Sequence, residues 1–210
     1  MANFYLHVLD MYWTKQYSEL GTLFRFADDF VVVCRSKTAA GRALELMRQI
    51  MEKLKLRLHP TKTRLVDMGR EGFEFLGFHL HKRTDRRTGK VLPYFWPGQK
   101  AMKTVRSKIR QLTGYSRKRA PMAKIVNDLN LVIRGWRNYF SVGNSTKPLK
   151  ALDHYAWLRI RRSFLARQGN RGDSLRARFP AWLACCGVEH FYKPGTCGIG
   201  FERSRRTDNR

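Results

Sequence analysis

The stretch LFRFADDFVVVC, residues 23–34, constrains this chain most. Its apolar residues suit two short strands, yet Asp28 and Asp29 stand side by side in the middle. Adjacent carboxylates resist desolvation and repel one another, so they are expensive inside an apolar layer. The run is consistent with a strand, a turn and a second strand, with the pair projecting from the turn while its flanks pack. An Asp-Asp turn is common in its own right. A divalent cation placed between the pair and a negatively charged substrate is the reading that gives both carboxylates a purpose, and hard oxygen ligands suit Mg²⁺.

The charge balance favours a polyanionic partner. Lys and Arg number 42 against 16 Asp and Glu, a net +26 over 210 residues. A surface this positive is most easily tolerated against nucleic acid. Hydrophobic residues at 43% exclude a disordered chain. No apolar stretch is long enough to span a membrane. The opening MANFYLHVLD has neither signal nor transit character, so the expected location is cytoplasmic. The four cysteines are expected to be reduced thiols: Cys185, Cys186, His190 and Cys197 form CC-x3-H-x6-C, which lacks the paired spacing of zinc sites.

The charge divides unevenly. Residues 1–97 carry net +7, residues 98–167 carry 17 basic and 2 acidic residues, and residues 168–210 carry net +4. VLPYFWPGQ, residues 91–99, reads as the break between the first two parts, because Pro93, Pro97 and Gly98 interrupt regular structure. In the first part we expect a helix near 3–17, strands at 22–27 and 30–34, a helix at 39–54, strand chemistry over 72–82 and a hairpin tip at 85–90. The second part reads as three helices, over about 99–112, from Pro121 to about 140, and over 145–167. The tail beyond Gly187 is expected to be irregular and mobile without RNA.

FADD followed by FVVVC resembles the aromatic-Ala-Asp-Asp hairpin of reverse transcriptases. ANFYLHVLD before it, LKLRLHPTKTRLV with FEFLGF after it, and LNLVIRGWRNYFSVGNS with LDHYAWLRIRR further on resemble, in the same order, blocks of group II intron-encoded reverse transcriptase/maturases. The resemblance implies an α+β fold: a partial palm over 1–97 with a small antiparallel sheet and flanking helices, a helical maturase-specific, thumb-like domain over 98–167, and a basic tail over 168–210. Asp28 and Asp29 match the catalytic, metal-binding pair, with Phe26 at a position usually Tyr. Lys62 and Thr63 match a Lys-Thr pair, Gly77 matches a glycine where a primer strand approaches, and Trp136, Asn138, Tyr139 and Phe140 match the maturase signature.

The same family carries a further catalytic Asp on an upstream palm strand, behind the fingers. The acidic residues before the hairpin here are Asp10 and Glu19, and Asp10 matches a helix segment. The expectation is a truncated maturase with half of a two-metal polymerase site, binding Mg²⁺ weakly and inactive as a polymerase alone. Its implied partners are group II intron RNA and a DNA primer or template. Two alternatives stay open: the C-terminal half of a split reverse transcriptase, paired with a separate N-terminal half, and an inert mobile-element remnant. Expected RNA contacts, besides Lys62 and Gly77, are Lys100, Lys103, Arg106 and Arg110 on one helical face, Arg117, Lys118 and Arg119 in the loop after it, and Arg134, Arg137 and Asn138. Trp136, Tyr139 and Phe140 are read as helix core.

Overall fold

A computed structural model of the chain describes residues 2–85, 88–167 and 172–194, without the side chains of Ala2 and 172–177. The architecture is α+β, with two small antiparallel sheets and six α-helices among the described residues. The chain divides into two compact units, one of residues 1–76 and 80–92, the other of 77–79 and 93–210.

In the first unit, α1 (Ala2–Tyr12) continues into a π-helical turn (Trp13–Tyr17). β1 (Thr22–Phe26) and β2 (Asp29–Val33) pair antiparallel, with Phe26 opposite Asp29 and Leu23 opposite Val32. Alternation places Leu23, Phe30 and Val32 on the core side. There they meet Leu9 and Trp13 and the apolar stripe of α2 (Lys37–Lys53), chiefly Ala43, Met47, Ile50 and Met51. α2 starts where the Ser36 hydroxyl accepts the Ala39 N–H.

β3 (Phe73–Phe75), β4 (Phe78–Thr84) and β5 (Val91–Pro97) form the second sheet in chain order. The expected break at 91–99 is therefore a strand as far as Pro97. β5 lies at the sheet's edge, where a proline without an N–H is tolerated. Leu76 and Gly77, both at positive φ, turn β3 into β4.

The helices of the second unit are α3 (Gln99–Leu112), α4 (Met122–Phe140), α5 (Thr146–Arg167) and α6 (Gly172–Cys185). Val105, Ile109, Leu129, Ile133, Leu149, Leu152 and Ile160 make its core. α6 falls where the sequence reading has a tail. Its Phe179 is buried, and Trp182 lies 4.7 Å from the Phe164 ring.

Residues 187–192 of the expected irregular tail make specific contacts with the helices. That segment is irregular but clamped. Asn130 donates to the Gly187 carbonyl at 2.8 Å and accepts the Glu189 N–H at 2.9 Å. The Asp153 carboxylate accepts the N–H groups of Phe191 and Tyr192 at 2.7 and 3.0 Å. Phe191 is fully buried, edge-on to Trp136. Among the described residues no helix is long and apolar enough to cross a membrane.

Candidate functional site

The Asp pair sits where the sequence reading places it. Ala27 and Asp28 are the two turn residues between β1 and β2, and Asp29 begins β2. Both carboxylates are exposed, and among the described residues neither forms an ion pair or side-chain hydrogen bond. Ala27 holds φ 54°, a left-handed conformation unfavourable for a residue with a Cβ. Something must hold that turn, and the group that does so lies two residues back on β1.

Arg25 lies on the inward face of β1. Its Nε and Nη2 donate to the two oxygens of Asp10 on α1, at 2.8 and 2.5 Å. Its Nη1 donates to the Ala27 carbonyl at 2.8 Å and to Asn3 Oδ1 at 3.3 Å. One guanidinium therefore ties the helix, the strand and the turn that presents Asp28. The hydrogen bond from Arg25 holds the Asp10 carboxyl below its ordinary range, against a smaller opposing effect of burial. Sequence reading missed Arg25; the available signal was a lone cation alternating with Leu23 on the apolar side of a strand.

Asp10 is thus engaged, and Glu19 is exposed in the turn after the π-helix. No group of three His, Cys, Asp or Glu residues suited to a metal exists among the described residues. Asp28 and Asp29 fit Mg²⁺ as two hard-oxygen ligands, with further ligands to come from elsewhere. Cys34 is half-buried, and burial pushes its thiol up. Cys185 is exposed, while burial and the neighbouring Cys185 raise Cys186. Cys197 lies outside the described residues.

Lys62 is exposed on the long connection between α2 and β3. Gly77 has a structural account. It holds φ +77°, and a Cβ there would come within 3.3 Å of the Phe140 ring. Phe78 packs 4.9 Å from Phe140 and 5.6 Å from Tyr139. The core role read for Trp136 and Phe140 holds, since Trp136 packs against the core and Phe140 is buried. Tyr139 keeps 51% of its surface exposed, even though its ring meets Phe78.

The cations of the second unit sort into two groups. On α3, Lys100, Lys103, Arg106 and Arg110 are exposed, as is Lys108, and none has a carboxylate partner among the described residues. Lys118 and Arg119 are likewise exposed and without an acidic partner. Arg117, by contrast, forms a 2.6 Å ion pair with Asp128. Arg134 and Arg137 both reach Glu189, at 3.2 and 2.9 Å. Arg137 also donates to the His190 carbonyl at 2.7 Å and is only 11% exposed. Its place is in the clamp on 187–192. Asn138, next to it, is exposed.

The hairpin is that of a nucleic-acid polymerase palm: residues 1–80 match the family model for reverse transcriptase (RNA-dependent DNA polymerase), a class that works through divalent metal ions. Residues 102–179 match the model for the group II intron, maturase-specific domain. With both models matched in this order, the chain belongs to the group II intron reverse transcriptase/maturase family. The maturase-specific match takes in most of α6, so the helix absent from the sequence reading lies largely within that domain's span. No curated protein matches the chain.

Proposed function

We propose that the protein is a maturase that binds structured group II intron RNA and supports splicing by holding the RNA's fold. The observation that carries this is α3. Five exposed cations line a 14-residue helix that contains no acidic residue. A solvated helix face normally mixes signs, and here the repulsion is left uncompensated unless phosphates supply the counter-charge. Lys100, Lys103, Arg106, Arg110, Lys118 and Arg119, exposed and without an acidic partner among the described residues, are the proposed contacts, with Lys62 and Asn138 as further candidates. Arg117, Arg134 and Arg137 act first within the fold.

The sequence reading divides the chain into a palm portion over 1–97, a maturase-specific domain over 98–167 and a basic tail over 168–210; the match to 179 favours carrying the second domain on into α6. The separate matches at 1–80 and 102–179 support the first boundary. Asp28 and Asp29 would hold Mg²⁺, which in two-metal chemistry activates the attacking oxygen and stabilises the leaving one. This chain's own part is to present the pair on an Arg25-braced turn. Since Asp10 is tied to Arg25, the pair needs another carboxylate to hold two ions, and we expect no primer extension by this chain alone. Extension with Mg²⁺ by the purified chain, lost in Asp28→Ala, would overturn that expectation.

The deciding experiment compares binding to a folded group II intron RNA with binding to an unrelated structured RNA of equal length across a salt series. Preference for the intron RNA that persists at high salt supports maturase recognition. Equal affinities with equal steep slopes reduce the protein to a nonspecific phosphate binder. A second reading, completion of the polymerase site by another polypeptide carrying the further carboxylate, is favoured by the outer face of the hairpin. Phe24, Phe26 and Val33 are exposed there at 53%, 65% and 41%. Co-expression that restores primer extension would establish it.

A further inference from the structure

A cavity of about 160 Å³ opens in the second unit between the C-terminal end of α3 with the turn after it and one face of α5. Its wall includes Thr113, Tyr115, Lys118, Arg159, Arg162 and Arg167, so four cations surround it and no carboxylate does. The volume equals about five waters at roughly 30 Å³ each, far below the roughly 300 Å³ of a drug-sized pocket. It suits a phosphate group or a single base.

The four cations have different duties. Arg159 donates to Thr113 Oγ1 at 3.2 Å and to the Arg110 carbonyl at 3.5 Å. Arg167 donates to the carbonyls of Ala120 and Arg117, the latter at 2.8 Å, while its Nε is buried without a partner. Both brace the loop through neutral acceptors, the Thr113 hydroxyl and backbone carbonyls, and neither has an acidic partner among the described residues. Arg162 is exposed on the rim and has no polar partner among the described residues. Lys118 stands over the Tyr115 ring at 5.3 Å, and that ring is 81% exposed. An exposed aromatic ring beside cations that have no acidic partner among the described residues is the combination that holds a nucleotide: cations for the phosphate, a flat ring for the base.

We propose that this cavity is a nucleotide subsite for RNA. One phosphodiester sits against Arg162 and Lys118, and the adjoining base stacks on Tyr115. Arg159 and Arg167 act as positioning residues that shape the loop and add to the positive field. The proposal rests on the RNA-binding reading of the preceding section and gives that reading a defined pocket, separate from the Lys103–Arg106–Arg110 face of α3.

The test uses the full chain and a folded group II intron RNA, titrated across salt, with Arg162→Gln, Tyr115→Ala and, as a reference on α3, Lys103→Gln. All three side chains are exposed, and thermal unfolding checks that the fold is kept. Arg162→Gln should reduce the slope of log K against log salt by about 0.7–0.9, the value of one phosphate. Tyr115→Ala should weaken binding roughly 5- to 150-fold with the slope unchanged, as loss of a neutral stack does. RNA carrying 4-thiouridine should crosslink to the peptide containing Tyr115. If Lys103→Gln lowers the slope while the two cavity substitutions change nothing and the crosslink is absent, the subsite is refuted and RNA binding stands. Absence of salt-dependent RNA binding by the unsubstituted chain refutes both. Saturable binding of a free nucleoside monophosphate at the cavity, with RNA binding indifferent to both substitutions, assigns the cavity to free nucleotides and overturns the proposal.

Discussion

Asn130→Ala probes the clamp on residues 187–192 most directly. Asn130 is buried, at 8% exposure, and its amide serves both sides of the irregular segment: Nδ2 to the Gly187 carbonyl and Oδ1 from the Glu189 N–H. Alanine removes both bonds and leaves a carbonyl and an N–H short of partners. Each orphaned group costs about 1–3 kcal/mol, and water reaching the partly buried site recovers some of it, so the expected loss is about 2–4 kcal/mol. Native-state hydrogen exchange reads this locally, without requiring the two units to unfold together. Protection of the Glu189 amide should fall roughly 30- to 1,000-fold, while the amides of α3 stay as they are. Asp153→Ala should do the same to the amides of Phe191 and Tyr192. The release should also reach Arg137, whose main carboxylate partner is Glu189, and so add a free cation to the surface. If Glu189 protection drops less than threefold in a folded variant, the Asp153 and Arg137 bonds and the burial of Phe191 suffice to hold the segment, and the part given to Asn130 in the clamp is refuted.

Gly143→Ala should destabilise the second unit by about 2–5 kcal/mol, because φ there is +66° and the new Cβ would overlap the Phe95 ring, with two ring carbons at 2.6 and 2.7 Å; an unfolding midpoint within error of the wild type would contradict this. Because Arg25 holds the Asp10 carboxyl below its unfolded value, the pair stabilises above about pH 4 and its contribution is lost as pH falls through the lowered value. Urea midpoints at pH 7 and pH 3 should show that dependence in the wild type and less of it in Arg25→Gln, which should also lower neutral-pH stability by about 1 kcal/mol. Asp28→Ala and Asp29→Ala should leave the unfolding midpoint unchanged and abolish whatever weak Mg²⁺ binding calorimetry detects; a retained isotherm would place the metal elsewhere. EDTA should not shift the wild-type midpoint, since two exposed carboxylates give a metal little hold on the fold.

The elements that sequence reading recovers are those whose burial is periodic. The stripe through Ala43, Met47, Ile50 and Met51 announces α2, and Val105, Ile109 and Leu112 announce α3. What it loses are elements whose local chemistry points the wrong way. Pro93 and Pro97 argue against a strand until β5 is seen to be an edge. Gly172 and Pro180 argue against α6, although Phe179, Trp182 and Leu183 at helical spacing were a signal for it. Gly143 and Asn144 stand in a motif legible only as a family resemblance, and the structure gives it a physical task. Asn144 exchanges two hydrogen bonds with the Phe95 backbone, at 2.8 and 3.3 Å, while Gly143 faces the Phe95 ring. The clamp at 187–192 uses side chain-to-backbone bonds from residues more than 35 positions away, and no periodicity encodes those.

The Asp pair carries a different cost from the one its apolar flanks suggest. Two carboxylates in an apolar run were costly on the premise that they share the burial of their neighbours. Both lie in solvent at the hairpin's end, as projection from the turn implies, so no desolvation has to be offset and no cation is required for the fold. The costs of this turn lie elsewhere, in the left-handed Ala27 and in the apolar face that Phe24 and Phe26 expose beside the acids. A stable isolated hairpin would place glycine at 27 and polar residues at 24 and 26. This one keeps a strained alanine, braces it with Arg25 and leaves aromatic residues open next to the carboxylates. That arrangement serves stability poorly and a bound strand well. It is the physical feature on which the proposed nucleic-acid role of the hairpin rests.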